Sequence, residues 1–471
     1  MLKNTIIYTI GTMLPKLIVF IMLPIYMKYL SPEEYGLVQT INALVSVLSI
    51  FYLTSLRTSV TRSYIDYEND DEKQGFILSV FLFLIAFSTL LSWVLLNLEV
   101  FITPYLFNNI PSDPYFGYMI LLSFLSVFPT IPLTLLRIKE QPVKYVTFNA
   151  VETILIVILT IYLLIEKNMG AVGSLQAIIY ARFLMGIFYI IYLFKFTRLK
   201  FRECKLVYIT SSLALAIPLI PHFLAGWINS VGDRVLIERY LNLFELGIYS
   251  IGSQFNIGLM MLVTSFNMAY SPKFFKLLKK NQLKQNYYSK IFETVVLALL
   301  ILSLFGLILI PFFINNFGGE SYKSSYLFVW FLFGGTIWHL GYILSVSSLI
   351  YYKKMKNVAI ITVITAISNI ILNLLFIPLI GITGAAIAAY IAYFFEFYFV
   401  KRYANHYTKE HFKVEGKMLY IAQILLLANL AFVWLLNNYL TVIITIIIIA
   451  FVLFKKYGKQ VLFKETNSYK L

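Results

Sequence analysis

The sequence predicts an all-α polytopic membrane protein with about fourteen transmembrane helices, on three observations. Hydrophobic residues make up 60 % of the 471, and charged residues only 13 %, against about a quarter charged in a soluble domain. Apolar runs of the length needed to cross a hydrocarbon core, about 20 residues for about 30 Å, follow one another from end to end. Basic residues gather in every second connection between those runs, as the positive-inside rule requires of a multi-spanning chain.

Runs bounded by charged or turn residues place helices at 5–30, 37–56, 75–96, 116–136, 145–165, 172–194, 207–229, 247–270, 290–315, 325–350, 358–378, 383–400, 418–436 and 439–454. The first run is too long for a signal-peptide core and has no small-residue cleavage site after it, so it is expected to stay as helix 1. With a cytoplasmic N-terminus, the inward side takes Lys3, then Arg57, Arg62 and Lys73 after helix 2, and Arg137, Lys139 and Lys144 after helix 4. Lys195, Arg198, Lys200, Arg202 and Lys205 follow helix 6; Lys273, Lys276, Lys279, Lys280, Lys284 and Lys290 follow helix 8. Lys353, Lys354 and Lys356 come after helix 10, Lys401, Arg402, Lys409, Lys413 and Lys417 after helix 12, and Lys455, Lys456, Lys459, Lys464 and Lys470 form the tail. The inward side thus holds 31 of the 38 basic residues, while the outward loops hold Lys28, Lys167, Arg234, Arg239 and Lys323. Both termini are expected in the cytoplasm. The net charge of +16 is then a topology signal, with anionic lipid head groups as a secondary partner and no nucleic acid.

Two internal echoes divide the chain. Tyr29-Leu30-Ser31-Pro32-Glu33-Glu34-Tyr35-Gly36-Leu37 recurs as Tyr240-Leu241-Asn242-Leu243-Phe244-Glu245-Leu246-Gly247-Ile248, and Gly170-Ala171-Val172-Gly173 recurs as Gly381-Ile382-Thr383-Gly384, both 211 residues apart. One offset linking equivalent turns implies two six-helix repeats of the same orientation, 1–206 and 207–417, followed by helices 13 and 14 and a cytoplasmic tail over 418–471. Proline interrupts the first helix of each repeat, Pro15 and Pro24 in one, Pro218 and Pro221 in the other. Paired interrupted segments point to a transport site.

Polar residues at depth are the candidates for that site. Lys16 lies about 18 Å into helix 1 at 1.5 Å per residue, too deep to snorkel, and an ammonium there costs at least about 2.5–3.5 kcal/mol unless it meets protein or water. Arg182 sits at similar depth in helix 6. It either pairs with Glu152 of helix 5 or joins Lys16 in a positive field for a diphosphate or acidic sugar. His222 of helix 7 suits a sugar contact, a proton relay or a structural hydrogen bond. Asp233 and Arg234, at the outer end of helix 7, form a local ion pair or part of an outer gate. Thr362, Thr365, Asn369 and Asn373 make one polar stripe on helix 11, either interhelical glue or a sugar-facing surface. His339 of helix 10 is a weaker candidate. One cysteine, Cys204, and four scattered histidines leave no disulfide framework, cluster or spaced metal site. There is no phosphate-binding glycine loop and no nucleophile elbow, so no cofactor and no ATP hydrolysis are expected; an ion gradient of protons or sodium, the membrane potential or substrate disposal must drive transport.

Several of these segments resemble the polysaccharide transporter family, the Wzx-type O-antigen and capsule flippases. They are Pro15-Lys16 with Leu23-Pro24-Ile25-Tyr26 and Leu30-Ser31-Pro32-Glu33-Glu34-Tyr35-Gly36; Ile217-Pro218-Leu219-Ile220-Pro221-His222 leading to Asp233-Arg234 and Gly247-Ile248-Tyr249-Ser250; and Asn369 and Asn373, Ile377-Pro378, then Gly381 through Ala386. The resemblance implies two pseudo-symmetric bundles in the V-shaped arrangement of multidrug and toxin extruders (MATE), alternating access, and an undecaprenyl-diphosphate-linked oligosaccharide as cargo in a bacterial inner membrane. It carries Lys16, His222, Asp233 and Arg234 over as motif positions; Arg182 rests on depth alone. A glycan polymerase and glycosyltransferases are candidate partners. A multidrug or lipid II exporter of the same fold is the nearest rival. A cation exporter wants acidic groups in its cavity, and here Glu152 is the one deep carboxylate expected in the first twelve helices, with Glu293 and Glu396 near helix ends. A membrane glycan polymerase or ligase would resemble chains with a large outward loop carrying catalytic residues, whereas the longest one here, about 97–115, has no basic residue and no histidine. The chain is therefore expected to be a carrier without enzymatic activity.

Overall fold

A computed structural model describes residues 2–198, 200–280, 285–408, 413–436 and 439–455. Of the inward series, Lys284, Lys409 and the tail lysines Lys456, Lys459, Lys464 and Lys470 lie outside the described residues. The described chain is helical, with no strand. α1 is Leu2–Ile21 continued by Leu23–Tyr29, and α2 is Pro32–Phe51. α3 is Asp70–Asn97, α4 Tyr115–Ile138, α5 Pro142–Glu166, α6 Gly170–Thr197, α7 Leu206–Tyr240 and α8 Leu243–Lys279. α9 is Gln285–Phe317, α10 Val329–Tyr351, α11 Met355–Ile380, α12 Ile382–Tyr407, α13 Lys417–Leu436 and α14 Leu440–Leu453. Among the described residues twelve helices, α2 to α13, are long and apolar enough to cross a membrane. With α1 and the shorter α14 they make up the fourteen expected, and the chain is an all-α polytopic membrane protein.

The echoed turns have a common physical cause. Ser31 caps α2 with a capping box, its hydroxyl accepting from Glu34 N while the Glu34 carboxylate accepts from Ser31 N, and Pro32 takes the first helical position. Asn242 and Glu245 stand at the same offset before α8, and the Glu245 amide donates to Asn242 Oδ1 at 2.8 Å. Both copies of the first echo are therefore helix starts at which an orphan amide is met by a side chain.

α7 and α12, like α8, outrun their predicted ends. α7 continues to Tyr240, so Asp233, Arg234 and Arg239 are helical and do not lie in an outward loop. α12 continues to Tyr407. Glu396, expected near a helix end, therefore lies well inside α12 and is buried at 4 % exposure. In both cases charged residues that read as a loop border are absorbed by local partners, described below.

The chain forms two compact units, Met1–Ser250 and Ile251–Leu471. In the first, α1 packs on α5, α6 on α5 and α4, and α2 on α7. The expected repeat boundary at 206/207 falls at the start of α7. All of α7 packs within this first unit, against α2 and the short helix Leu56–Ser63, and the unit boundary comes at 250/251. In the second unit α12 is the centre, contacted by α10 and α11, with α9 and α13 against α10 and α14 against α9 and α13. Between helices in lipid there is no hydrophobic drive, and small residues permit the contact. The α12 seam accordingly buries Ala385, Ala386, Ala388, Ala389 and Ala392. Gly334 of α10 faces it so closely that a Cβ there would stand 2.7 Å from the Tyr390 ring.

Candidate functional site

Both prolyl interruptions are present. Pro15 lies inside Leu2–Ile21, and α1 breaks at Met22 just ahead of Leu23 and Pro24. α7 runs from Leu206 to Ala216, tightens into a 3₁₀ turn at Ile217–Leu219, and restarts as Ile220–Tyr240 with Pro221 in its first turn. Proline has no N–H to offer and its ring opposes the preceding turn, so the helix re-aims at these points. The restart sets His222, Phe223 and Trp227 on the first two turns of the second segment.

Opposite those turns α2 ends at Phe51, and Leu53 adopts a left-handed conformation, φ 59. For a branched apolar side chain this costs about 1–2 kcal/mol. The turn is held by its surroundings. Tyr52 is fully buried and shares a hydrogen bond of 2.7 Å with Ser92, while Thr54 Oγ1 donates to Ser49 O at 2.9 Å. The reversal carries Thr54, Ser55 and Arg57 toward α7.

Between these elements lies a cavity of about 230 Å³ lined by Ser46, Ile50, Thr54, Ser55, Arg57, Phe223 and Trp227. The Trp227 indole donates to Ser46 Oγ at 2.8 Å and to Ala43 O at 3.2 Å, which fixes its ring on α2. The Arg57 guanidinium stands 5.9 Å from the centre of the Phe223 ring, a contact worth about 0.5–1 kcal/mol where exposed. Arg57 itself is exposed. Ser55 is only 3 % exposed, and its hydroxyl has no hydrogen-bond partner among the described residues. The site thus offers a fixed fork of cationic donors, an unused buried hydroxyl and two aromatic rings. That donor set suits an anionic oxygen group attached to a sugar or an isoprenoid, since Arg matches phosphate bidentately. The volume is below the about 300–1,000 Å³ of sites that enclose a whole ligand, so it fits a head group and leaves a chain outside.

The sequence-derived candidates are dispersed. Lys16 is exposed on α1. His222 is exposed, with its ring 5.8 Å from Phe223, beside the cavity lining and outside it. Arg182 Nε lies 3.8 Å from Glu152 Oε1, and Tyr189 donates to the other oxygen of Glu152 at 3.3 Å, so Arg182 stands in an ion pair with Glu152. Asp233 Oδ2 accepts a short hydrogen bond from Tyr249, and its other oxygen accepts from Arg234 N at 2.9 Å. Arg234 is buried. In the second unit Asn369 and Asn373 are buried, and Asn373 Nδ2 donates to Asn369 Oδ1 at 2.7 Å. Thr362 and Thr365 return their hydroxyls to carbonyls one turn back on α11.

The residues that sequence reasoning passed over are Arg57, Ser55 and Trp227. Arg57 was absorbed into the inward charge series. A signal was available: two hydroxyl residues, Thr54 and Ser55, stand three and two positions before Arg57, and Phe223 and Trp227 stand four apart, on one helix face.

The chain is similar to several known proteins. A Haemophilus influenzae protein described as protein 1 of the Lsg locus is 23 % identical over 380 residues, covering 76 % of this chain and 86 % of its own length. An uncharacterized membrane protein of the same organism is 24 % identical over 381 residues, 77 % of this chain and 87 % of its own. Among solved structures, the lipid II flippase MurJ in an inward closed conformation superposes with a TM-score of 0.73 at 16 % identity, covering 96 % of this chain and 99 % of its own. An inward-facing MATE multidrug resistance transporter superposes at 0.66 and 13 % identity, over 86 % of this chain and 99 % of its own. These likenesses establish the transporter fold. The family model for polysaccharide biosynthesis proteins matches residues 1–278, and the chain belongs to that family.

Proposed function

We propose that the chain is a flippase that moves an undecaprenyl-diphosphate-linked oligosaccharide, an O-antigen, capsule or exopolysaccharide repeat unit, from the cytoplasmic to the outer leaflet of a bacterial inner membrane by alternating access. The observation that carries this reading is Arg57 facing Phe223 and Trp227 across the cavity at the end of α2. The charge asymmetry of the sequence assigns that end to the cytoplasm, where lipid-linked sugar would be loaded. The guanidinium takes a phosphate, the Ser55 hydroxyl takes a further oxygen, and the rings offer apolar faces to the first sugar or the isoprenoid. The cavity admits the head group while the polyprenyl tail stays in lipid. Membership of the polysaccharide biosynthesis family supports the glycan, and the fold shared with the MurJ flippase supports movement between leaflets. Lys16 and His222, both exposed near the same interrupted helices, are further contacts for the glycan in this scheme. Coupling to protons or sodium, and delivery from glycosyltransferases to a polymerase, complete it; no chemical step on the cargo is required.

The test is reconstitution of the full chain in proteoliposomes with a fluorescent undecaprenyl-diphosphate oligosaccharide, and measurement of the fraction made accessible in the opposite leaflet. Movement above that of protein-free vesicles is the expected outcome. Equal rates with and without protein would overturn the reading, and selective movement of lipid II or of a cationic drug would replace it with export of that cargo.

A further inference from the structure

The second unit holds a buried ionisable pair that the proposed cargo site does not use. His339 of α10 and Glu396 of α12 meet at 3.2 Å between Nδ1 and Oε2, with side chains 20 % and 6 % exposed. Both lie well inside membrane-spanning helices, where ionisable groups are rare and mark ion or proton pathways. The His339 ring stacks on Tyr342 at 5.2 Å and meets Tyr393 edge-on at 5.0 Å. The helices do not need this pair for adhesion, because the same seam already closes through the alanines of α12 and the glycines of α10.

We infer that His339 and Glu396 form a proton-binding site, its ligand a single proton exchanged with water through the more exposed His339. Without that proton, a neutral imidazole donates Nδ1–H to a carboxylate and the pair carries one negative charge. With it, the pair is imidazolium and carboxylate, or imidazole and carboxylic acid, and is neutral. Loading therefore changes the charge of the α10–α12 seam by one, and histidine is the side chain whose ordinary titration falls in the physiological range. The titratable groups around it are Tyr342 on its own helix and Tyr393 on α12, while Tyr390 of α12 and Tyr420 of α13 lie against the ring of the neighbouring Trp338. α11 contributes Thr362, which lies beside Tyr342. Lys401, further along α12, sits over the Phe397 ring, and Glu293 of α9 lines a separate cavity with Glu415 and Lys417. A hard metal cation calls for several oxygen ligands, and among the described residues no group of three or more acidic, histidine or cysteine side chains gathers. One carboxylate against one imidazole suits a proton.

The experiment is infrared difference spectroscopy on the full chain in lipid nanodiscs, with protons as the only added ligand, over about pH 5–8 where histidine titrates. A carboxyl band that changes with pH, vanishes in Glu396→Gln and shifts its midpoint by tenfold or more in proton concentration in His339→Gln is the expected result. A spectrum independent of pH, a change that survives in Glu396→Gln, or a band that responds to sodium at fixed pH each overturns the site. Should Glu396→Gln fail to fold, the midpoint shift of His339→Gln decides. No cargo enters the measurement, so failure of the flippase reading leaves this result standing, and the reverse.

Discussion

Gly36 and Gly247, equivalent positions of the two sequence echoes, lie against one another. A Cβ added to Gly36 would stand 2.0 Å from Leu243 O and 3.0 Å from Gly247 N, and one added to Gly247 would stand 1.9 Å from Pro32 O. The starts of α2 and α8 therefore approach backbone to backbone, and each glycine admits the partner's first turn. A further joint is made on the other side of α2, where Glu34 Oε1 accepts from Ala171 N at 3.4 Å. Two turns that matched in sequence thus meet their neighbours through the residues that matched.

Gly36→Ala and Gly247→Ala are each expected to destabilise the protein by about 1–3 kcal/mol, the range for forcing a methyl into a closed contact. Because either methyl already separates the same two turns, the double variant should lose less than the sum. Thermal unfolding in detergent measures this; additive and small losses would show that the turns part freely.

The two helix starts should also respond alike to loss of their caps. Ser31→Ala removes the hydroxyl that accepts from Glu34 N at 3.2 Å, and Asn242→Ala removes the acceptor at Glu245 N. Each substitution is expected to cost about 1 kcal/mol. Substituting Asp at either position keeps an acceptor, so those variants should unfold near the parent midpoint.

In the cavity of the first unit, Arg57→Gln should slow glycolipid movement by about 10- to 100-fold, from a lost charge-assisted hydrogen bond of about 1.5–3 kcal/mol. Arg57→Lys keeps the charge and loses the fork, so an intermediate rate is expected. Trp227→Phe keeps a ring and gives up the bonds to Ser46 and Ala43, which loosens one wall. Its loss should appear in apparent affinity more than in the maximal rate. Rates in proteoliposomes containing equal amounts of folded protein check all three, and full activity of Arg57→Gln would remove the cavity from the transport path.

Helix order and type were legible in the sequence because apolar runs and lysine-rich connections are one-dimensional signals. The echo at Ser31 and Asn242 was legible for a similar reason, since capping is chemistry within four residues. The ends of α7 and α12 were hidden. Arg234 read as a loop charge and Glu396 as a carboxylate near a helix end, until a buried setting and a His339 57 positions away absorb them, and no local pattern records such a partner. Arg57 was hidden by its neighbours in type, one basic residue among many whose ordinary role is orientation. Asn369 and Asn373 were found as a stripe, yet spacing alone could not say that one amide would satisfy the other.

Arg182 and Glu152 offer a test of whether depth alone identifies a cargo contact. The guanidinium and carboxylate are 3.8 Å apart, with side chains 31 % and 19 % exposed, and Tyr189 shares the acid. If the pair serves α5 and α6 packing, Arg182→Met leaves Glu152 short of a counter-charge and should lower stability. Arg182→Met combined with Glu152→Gln should then recover much of it, with a coupling of about 0.5–1.5 kcal/mol, in the range of polar contacts between membrane helices. Glycolipid movement by the double variant separates the roles. Movement close to the parent rate assigns Arg182 to the helix contact, and a loss comparable to that of Arg57→Gln, in protein of restored stability, assigns it to the cargo.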